Sequence, residues 1–401
     1  MTPTDAVSSD ILTAHERLLQ ELCAISSESG NAAGIRKVAE QLERVLTARG
    51  LAVEIVEEND AHGVPQPVLI ARGPQTGGPH LLLLGHMDTV LPAIEPQVEG
   101  RTLYATGSYD MKAGLVAFCG ALEVLASRGT ALPPDVLVVL VPDEESESLI
   151  SGQSAEKWSR GARAVLVLEP GQSTADGETL VAGRRGMMEW KLDVRGRASH
   201  SGLAYWSGHS ALAAAAEWCS LAQASSRRGN GPTVNVGRVV GGSADFVDSL
   251  AQHADMLGSS RQLNVVSDRA VAEGELRFLT TADGQAIRED LQRLAAHVAT
   301  RHEVQVTFKV GMHVPPVDPH GPGAPLVQRT VDLARERGFR LDVEQDRGGI
   351  SFPNFIADPA ATPVIDGLGP TGYGMHIRGE YVDLDSLGRR IALLADLLPT
   401  L

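Results

Sequence analysis

Acidic and imidazole residues recur in this chain after short apolar runs, and one of them lies in a glycine-flanked loop. The set consists of His86, Asp88, Asp110, Asp143, Glu144, Glu145, Glu169 and His376. Two histidines with several carboxylates and no thiols form a ligand set for zinc, or for cobalt or manganese. Two metal ions about 3.5–4 Å apart would share a bridging carboxylate and hold both a water and an amide carbonyl. One carboxylate would have to stay off the metal to take the proton of that water, and the adjacent pair Glu144 and Glu145 suits this division.

Each of these residues, taken singly, also has an ordinary structural explanation. Asp110 fits the N-cap of the helix that follows it, residues 143–145 fit a solvated loop, and residues 169–171 fit a turn. His86 and Asp88 fit the end of a strand that runs into an aspartate turn. Their side chains would also point to the same side of an extended chain. Repetition after several strands favours a common site, because open α/β sheets bind ligands outside the carboxyl ends of their strands.

The apolar runs before these residues predict a largely parallel sheet with helices on both faces. Leu81 to Leu84 indicates a central strand buried on both faces. Val136 to Val141 and Ala164 to Leu168 indicate two further strands. Helical spacing is found in the ranges 11–25, 31–49, 111–128, 323–337 and 384–398. Such alternation of short buried strands and helices is typical of the α/β class.

The pattern changes between residues 186 and 311. Apolar and charged residues alternate at 188–194 and at 271–279, which indicates strands that bury one face only. With helices predicted at 210–224 and 283–300, the order is β-α-β-β-α-β, a ferredoxin-like motif inserted in the α/β fold. The sheet of this motif has a free edge, and stable proteins usually cover or pair such an edge. We therefore expect a homodimer formed through this region.

The composition limits the class of protein. A length of 401 residues suggests two domains, or one large domain with an insertion. The formal net charge of −15 argues against a nucleic-acid partner, which would need a basic surface. Cys23, Cys119 and Cys219 are widely spaced and predict buried helical thiols, not disulfides or a cysteine zinc site.

The chain also carries no targeting or membrane signal. No stretch approaches the roughly 20 apolar residues that a membrane span needs. The first residues lack the uninterrupted apolar core of a signal peptide. We therefore expect a soluble, cytoplasmic protein with no membrane partner.

Seven motifs, in order along nearly the whole chain, resemble the M20 family of metallopeptidases and deacylases. They are Gly-His-Met-Asp-Thr-Val (85–90), Gly-Ser-Tyr-Asp-Met-Lys-Ala-Gly (107–114), Asp-Glu-Glu (143–145), Leu-Glu-Pro-Gly (168–171), Gly-Arg-Arg-Gly (183–186), Gly-Arg-Ala-Ser-His-Ser-Gly (196–202) and Gly-Met-His (374–376). The family includes glutamate carboxypeptidase, aminoacylase, acetylornithine deacetylase and succinyl-diaminopimelate desuccinylase. This sequence is most similar in general pattern to the carboxypeptidase G2-like branch.

The resemblance implies a dizinc hydrolase built from two domains. Residues 1–185 and 312–401 would form the catalytic domain, and residues 186–311 a lid and dimerisation domain. The enzyme would cleave an amide bond next to a free carboxylate, in an N-acyl amino acid or a short peptide. 

The same resemblance implies the metal ligands. His86, Asp110 and Glu169 would hold one Zn²⁺, and Asp110, Glu145 and His376 would hold the second. Asp110 would bridge the two ions, and Co²⁺ or Mn²⁺ could replace Zn²⁺.

Further positions would act on the reaction or on the substrate. Asp88 would orient the first of the two histidines. Glu144 would deprotonate the metal-bridging water and then protonate the leaving nitrogen. His200 would reach the site of the partner subunit and stabilise the oxyanion. Arg277, helped by Asn264, would clamp a carboxylate of the substrate.

Two parts of the inserted region leave alternatives open. Arg277 lies on the polar face of its strand, where it could instead form a surface ion pair with Glu273 or Glu275. Residues 243–262 are extra relative to the family and could be a plain surface insertion. Their apolar residues could otherwise form a short amphipathic helix that lines a pocket for an apolar acyl group; these are Phe246, Leu250, Met256 and Leu257.

Departures from the family pattern bear on the substrate. Residues 350–353, Ile-Ser-Phe-Pro, follow Gly348-Gly349 where relatives usually carry a small residue and an aspartate. The cationic positions that read a glutamate side chain find no clear match here. A strict glutamate-type carboxypeptidase or a dipeptidase is therefore the alternative within the family. A non-catalytic metal-binding interaction protein is the alternative of another class, against which stands the presence of Glu144, Asp88 and every implied ligand.

Overall fold

The structure of the protein, a computed structural model, describes residues 7–75, 77–146, 148–250 and 264–401. The chain forms two compact units. The first comprises Met1–Arg184, Asp318–Arg347 and Ser351–Leu401, and the second comprises Arg185–Val317 and Gly348–Ile350. The chain returns to the first unit later than residue 312, because the last strand of the second unit continues to Val314.

Both units contain helices and strands, and the second unit is inserted in the sequence of the first. The α-helices are α1 (Ser9–Cys23), α2 (Ala32–Ala48), α3 (Ala113–Ser127), α4 (Leu149–Ser159), α5 (Ala211–Ala224), α6 (Ala244–Leu250), α7 (Thr281–His302), α8 (Ala324–Glu336) and α9 (Leu384–Leu397). The strands are β1 (Ala52–Asn59), β2 (Pro65–Arg72), β3 (His80–His86), β4 (Gln97–Glu99), β5 (Thr102–Tyr104), β6 (Val136–Val141), β7 (Ala162–Val167), β8 (Glu178–Val181), β9 (Gly186–Arg195), β10 (Thr233–Gly242), β11 (Arg269–Phe278), β12 (Gln305–Val314), β13 (Leu341–Glu344), β14 (Val364–Ile365), β15 (Gly372–Tyr373) and β16 (Tyr381–Asp383).

A six-stranded sheet with the order β1-β2-β6-β3-β7-β14 forms the centre of the first unit. β3 pairs in parallel with β6 and β7, and β7 pairs in parallel with β14. β1 and β2 extend the sheet in antiparallel. The four leucines of β3 are fully buried, as their apolar run predicts. The predicted α/β class with a mostly parallel sheet is confirmed.

Apolar helices hold this sheet in place. The stripe of α2 formed by Ile35, Val38, Leu42 and Leu46 is buried, and the Asn31 side chain caps the helix by accepting the N–H of Gly34. α3 is buried along nearly its whole length, which explains why it is apolar on all sides. None of the helices in the described ranges is long and apolar enough to cross a lipid bilayer.

A second, smaller sheet of the first unit has the order β15-β16-β5-β4. Its strands are only two or three residues long and carry no periodic pattern, and the sequence does not predict them. Pairing of Tyr104 with Tyr381 joins β5 to β16. β5 leads into the loop of Asp110 and β15 leads into the segment of His376, so this sheet brings two distant parts of the chain together.

The second unit is a ferredoxin-like fold. Its antiparallel sheet has the order β10-β11-β9-β12, with α5 and α7 in the two connections that the sequence predicts. Met188, Trp190, Leu192 and Val194 of β9 are buried, in line with the predicted one-faced strand. The Trp190 and Trp218 rings meet edge to face, with 4.9 Å between their centroids. β10 and β12 are the edges of this sheet.

The three cysteines are free and buried in helices α1, α3 and α5. The sequence predicts this placement, which leaves the thiols as small core residues.

A buried arginine anchors α9 in the first unit. Arg390 is fully buried, and its guanidinium donates to Glu178 Oε2 at 2.8 Å and to the carbonyl oxygens of Gly367 and Thr179 at 3.1 and 2.8 Å. We expect Arg390→Ala to lower the free energy of unfolding by about 3–5 kcal/mol, because the buried Glu178 carboxylate would keep only its pair with Arg389, and two carbonyl oxygens would lose a buried donor. Urea unfolding monitored by circular dichroism measures the change.

The matched control for this change is Arg335→Ala. Arg335 is exposed on α8 and pairs with Asp332 of the same helix, and such surface pairs contribute about 0–1 kcal/mol. Equal losses of stability in the two variants would contradict the role assigned to Arg390.

Candidate metal centre

Three neighbouring parallel strands end at one edge of the central sheet, and each is followed by acidic or imidazole side chains. His86 is the last residue of β3. Glu144 and Glu145 follow β6, and Glu169 follows β7. Parallel strands present their carboxyl ends at the same edge, which is where the site rule for open α/β sheets places a ligand.

Asp110 stands between two histidines. The Nε2 atom of His86 lies 3.3 Å from Asp110 Oδ1, and the Nε2 atom of His376 lies 3.5 Å from Asp110 Oδ2. His86 Nε2 is also 3.9 Å from Glu169 Oε1, and His376 Nε2 is 2.9 Å from Glu145 Oε2. The five side chains implied as ligands thus form two groups that share Asp110.

Asp110 does not have the structural role that its position before a helix suggests. α3 begins at Ala113, and the N-cap is Lys112, whose side chain makes no cap hydrogen bond. Asp110 lies in a single π-helical turn over Ser108–Lys112 with extended backbone angles (φ −113°, ψ 102°), and its peptide bond to Met111 is cis. The N-cap explanation is therefore wrong, and the carboxylate points to the histidines instead.

Asp88 lies on the far side of the His86 ring. The His86 Nδ1 atom is 3.0 Å from the Asp88 carbonyl oxygen and 3.3 Å from its Oδ1 atom. The Asp88 carboxylate also accepts the backbone N–H groups of Glu144 and Glu145, at 3.2 and 3.1 Å, and the Ser29 hydroxyl at 2.7 Å. Asp88 therefore contacts the ring nitrogen that faces away from Asp110, and it also fixes the backbone that carries the two glutamates.

Burial and hydrogen bonding shift the pKa values of the acidic groups. Burial raises the pKa of Glu144 to about 7 and also raises the pKa of Glu145. Burial, with repulsion from Asp110 and Glu144, raises the pKa of Glu169. For Asp110, hydrogen bonds from the two histidines outweigh burial and hold its pKa below the usual range. Hydrogen bonds that the His376 ring donates to Asp110 and to Glu145 raise the pKa of His376 to about 10.

These donors fit divalent cations. Several buried carboxylates need positive charge beside them, and imidazole nitrogens with carboxylate oxygens suit zinc, cobalt or manganese. Over the described part of the chain, two sets of donor atoms lie within 4.8 Å of one another: His86, Glu144 and Glu169, and His86, Asp110 and Glu145. Glu144 belongs to the first set, so distance alone makes it a candidate ligand as well as a candidate proton acceptor.

The sequence does not predict two residues that support this site. The Glu380 carboxylate accepts the backbone N–H groups of Gly107, Tyr109 and Asp110, and the Ser351 hydroxyl donates to Glu169 Oε1 at 2.9 Å. No local pattern marks either residue, because each lies in an irregular segment and reaches its partner across a large sequence separation.

The remaining predicted residues lie in the second unit. His200 is exposed, and its Nδ1 atom accepts the N–H groups of Gly202 and Leu203 at 3.1 and 3.2 Å. These two bonds make Nδ1 an acceptor and leave the ring proton on Nε2. Asn264 is exposed, and its backbone carbonyl oxygen accepts the N–H of Ser201 at 3.0 Å.

Arg277 forms one of the two ion pairs that the sequence allows. Its Nε and Nη2 atoms lie 3.1 and 3.0 Å from the two carboxylate oxygens of Glu275, and Nη1 donates to the carbonyl of Gly348 at 3.3 Å. Glu273 pairs instead with Lys191 and Arg238. The guanidinium of Arg277 is thus held in the bidentate geometry that recognises a carboxylate.

The extra segment begins as a helix. α6 carries Phe246 and Leu250 of the predicted apolar residues, and its Val247 is buried. Met256 and Leu257 lie outside the described residues.

Comparison with known proteins finds relatives along most of the chain. The chain matches Peptidase family M20/M25/M40 over residues 82–400. Carboxypeptidase G2 of Pseudomonas sp. (strain RS-16) is 27% identical over 388 residues, which cover 95% of this chain and 88% of that protein. Succinyl-diaminopimelate desuccinylase of Gluconacetobacter diazotrophicus is 26% identical over 361 residues, covering 86% of this chain and 87% of that protein.

A solved structure shares the fold. Aminopeptidase PepT of Bacillus cereus is similar with a TM-score of 0.75 at 20% identity, over 98% of this chain and 99% of that one. The family match spans most of the sequence, so the chain is a metal-dependent hydrolase of amide or peptide bonds. It belongs to peptidase family M20/M25/M40.

Proposed function

We propose that this protein is a two-metal amidohydrolase that cleaves an amide bond beside a free carboxylate, in an N-acyl amino acid or a short peptide. One observation carries the proposal. The two oxygens of Asp110 face the Nε2 atoms of two different histidines, at 3.3 and 3.5 Å. A carboxylate so placed suits a bridge between two ions.

The proposed ligands divide around that bridge. His86 and Glu169 would hold one Zn²⁺ with Asp110, and Glu145 and His376 would hold the other, with Co²⁺ or Mn²⁺ as alternatives. Bound there, the ions would lower the pKa of a water and polarise the amide carbonyl.

Glu144 is the proposed proton acceptor. It would take a proton from the attacking water and deliver it to the leaving nitrogen, so that the carboxylate is regenerated. Its backbone N–H is held by Asp88, which also contacts His86. Asp88 would thereby keep the proton acceptor and a metal ligand in a fixed relation.

The proposed substrate carries a carboxylate on its amine side. The relatives support this class by their names, since a carboxypeptidase releases a carboxylate-bearing residue and a desuccinylase removes an acyl group. Arg277, with Asn264, would bind that carboxylate. The bidentate pair of Arg277 with Glu275 supports this proposal, because the guanidinium already binds a carboxylate, and the substrate would have to displace Glu275.

We also propose that the second unit acts as a lid and dimerisation domain. β10 and β12 are sheet edges that a second copy of the chain could cover. His200 would donate its Nε2 proton to the oxyanion in the site of the partner subunit. The tautomer fixed by Gly202 and Leu203 supports this donor role.

A substrate panel tests the proposed function. N-acetyl, N-succinyl and N-benzoyl amino acids, dipeptides, and the C-terminal amides of each would be assayed by amine release with added Zn²⁺, Co²⁺ or Mn²⁺. We expect hydrolysis of N-acyl amino acids and a loss of rate for the C-terminal amides, which lack the carboxylate. Hydrolysis of C-terminal glutamate compounds or dipeptides alone would favour a strict carboxypeptidase or dipeptidase. Metal binding without turnover of any compound would favour a non-catalytic protein.

A further inference from the structure

The Glu380 carboxylate receives three backbone hydrogen bonds from the loop that carries Asp110. Its Oε2 atom accepts the N–H of Gly107 at 2.8 Å, and its Oε1 atom accepts the N–H groups of Tyr109 and Asp110 at 2.8 and 2.9 Å. Glu380 is only 5% exposed, so these donors would otherwise be buried without partners. The carboxylate therefore fixes the backbone of Asp110 itself.

Glu380 belongs to the same short segment as His376. The segment turns sharply, with left-handed backbone angles at Gly374, His376 and Gly379 (φ 87°, 64° and 95°). The Glu380 carbonyl oxygen accepts the N–H of Ala105 at 3.2 Å, which ties the end of this segment to the strand before the Asp110 loop. Glu380, four residues after His376, thus contacts the Asp110 loop through its side chain and the residue that follows β5 through its backbone.

We propose that Glu380 is a positioning residue that fixes the separation between Asp110 and His376, and thereby the position of the second metal ion. The inference rests on the proposed two-metal function. We expect the first ion to depend less on Glu380, because two of its three proposed ligands, His86 and Glu169, lie at the end of β3 and just after β7. His376 and Asp110 lie on irregular segments, which the contacts of Glu380 join beyond the point where the pairing of β5 with β16 ends.

Glutamine at this position keeps the size but not the hydrogen bonding. An ionised carboxylate accepts at both oxygens, whereas an amide offers one oxygen and one NH₂ group. In Glu380→Gln the NH₂ group would face either the N–H of Gly107 or those of Tyr109 and Asp110. Donors would then face donors, and the loop would shift away from the segment of His376.

Cobalt titration of the apo protein measures the consequence. We expect wild type to bind two Co²⁺ per chain, and Glu380→Gln to bind the first with near-wild-type affinity and the second about 10- to 100-fold more weakly, the range seen for groups that support metal ligands. The visible absorption of the second Co²⁺ should change in shape, which a loss of folded protein alone would not produce. Calorimetry gives the two affinities.

Glu178→Gln is the matched control. Glu178 is a buried glutamate of the same unit whose carboxylate pairs with Arg389 and Arg390. We expect it to lower thermal stability while both Co²⁺ affinities and the spectrum stay at wild-type values.

Glu380→Asp provides a second variant, since it keeps the charge and shortens the reach by one methylene. It should also weaken the second Co²⁺, and it decides the matter if the glutamine variant does not fold. Wild-type Co²⁺ affinities and spectra in the folded Glu380 variants would overturn the inference. Fewer than two Co²⁺ per chain in the wild type would instead refute the proposed two-metal function.

Discussion

Replacing Glu144 with glutamine is expected to reduce kcat by about 10²- to 10⁴-fold, the usual contribution of a positioned acid–base group, while two metal ions stay bound. The amide matches the carboxylate in size but cannot take a proton from water. Asp88 would still hold the backbone N–H of residue 144, so the loop should keep its place. Steady-state kinetics and metal content by mass spectrometry, measured on the same preparation, check both parts.

The result also decides between two roles that the geometry allows for Glu144. Its carboxylate lies within 4.8 Å of donor atoms of His86 and Glu169. A loss of metal in the variant would therefore identify Glu144 as a ligand. Unchanged turnover would remove it from the mechanism altogether. Glu156→Gln is the control, because Glu156 is an exposed glutamate of α4 that pairs with Arg160, and this change should leave both measurements unaltered.

Replacing Asp110 with asparagine is expected to abolish binding of at least one metal ion and to remove turnover. The asparagine side chain has one acceptor oxygen and one NH₂ group. It can therefore offer a ligand atom to only one of the two proposed ions. The affinity for the other ion should fall by more than about 100-fold, the upper end of the effect of groups that merely support a ligand. Metal content after dialysis against buffered Zn²⁺ gives the measurement.

The control for this change is Asp332→Asn on the exposed face of α8, where the carboxylate pairs with Arg335. It should retain the wild-type metal content and rate. Two tightly bound ions in Asp110→Asn would contradict the bridging role.

The central sheet and half of the site follow from local sequence. Four consecutive leucines require burial on both faces, and the strand they form ends with His86. Side chains that follow parallel strands gather at one edge, so the proximity of Glu144, Glu145 and Glu169 to His86 could be expected. The pairing of Arg277 with Glu275 is equally local, because residues two apart on a strand share a face.

The other half of the site depends on contacts that local sequence does not encode. Asp110 precedes a helix and fits a cap, yet the helix starts later and the carboxylate faces the histidines. The segment of His376 is joined to that of Asp110 by a sheet of two- and three-residue strands, which show no hydrophobic period. Glu380 carries no local sequence signal, and only the tertiary structure shows that it is buried.

The hydrogen bonds of Asp88 determine how substitutions around it should combine. Its carboxylate contacts the His86 ring and also holds the backbone of Glu144 and Glu145 and the hydroxyl of Ser29. A change at Asp88 should therefore perturb a proposed metal ligand and the proposed proton acceptor together, and the loss of activity it causes cannot be assigned to imidazole orientation alone. Substitutions within this set should show strong epistasis, since residues that share a hydrogen-bond network do not contribute additively.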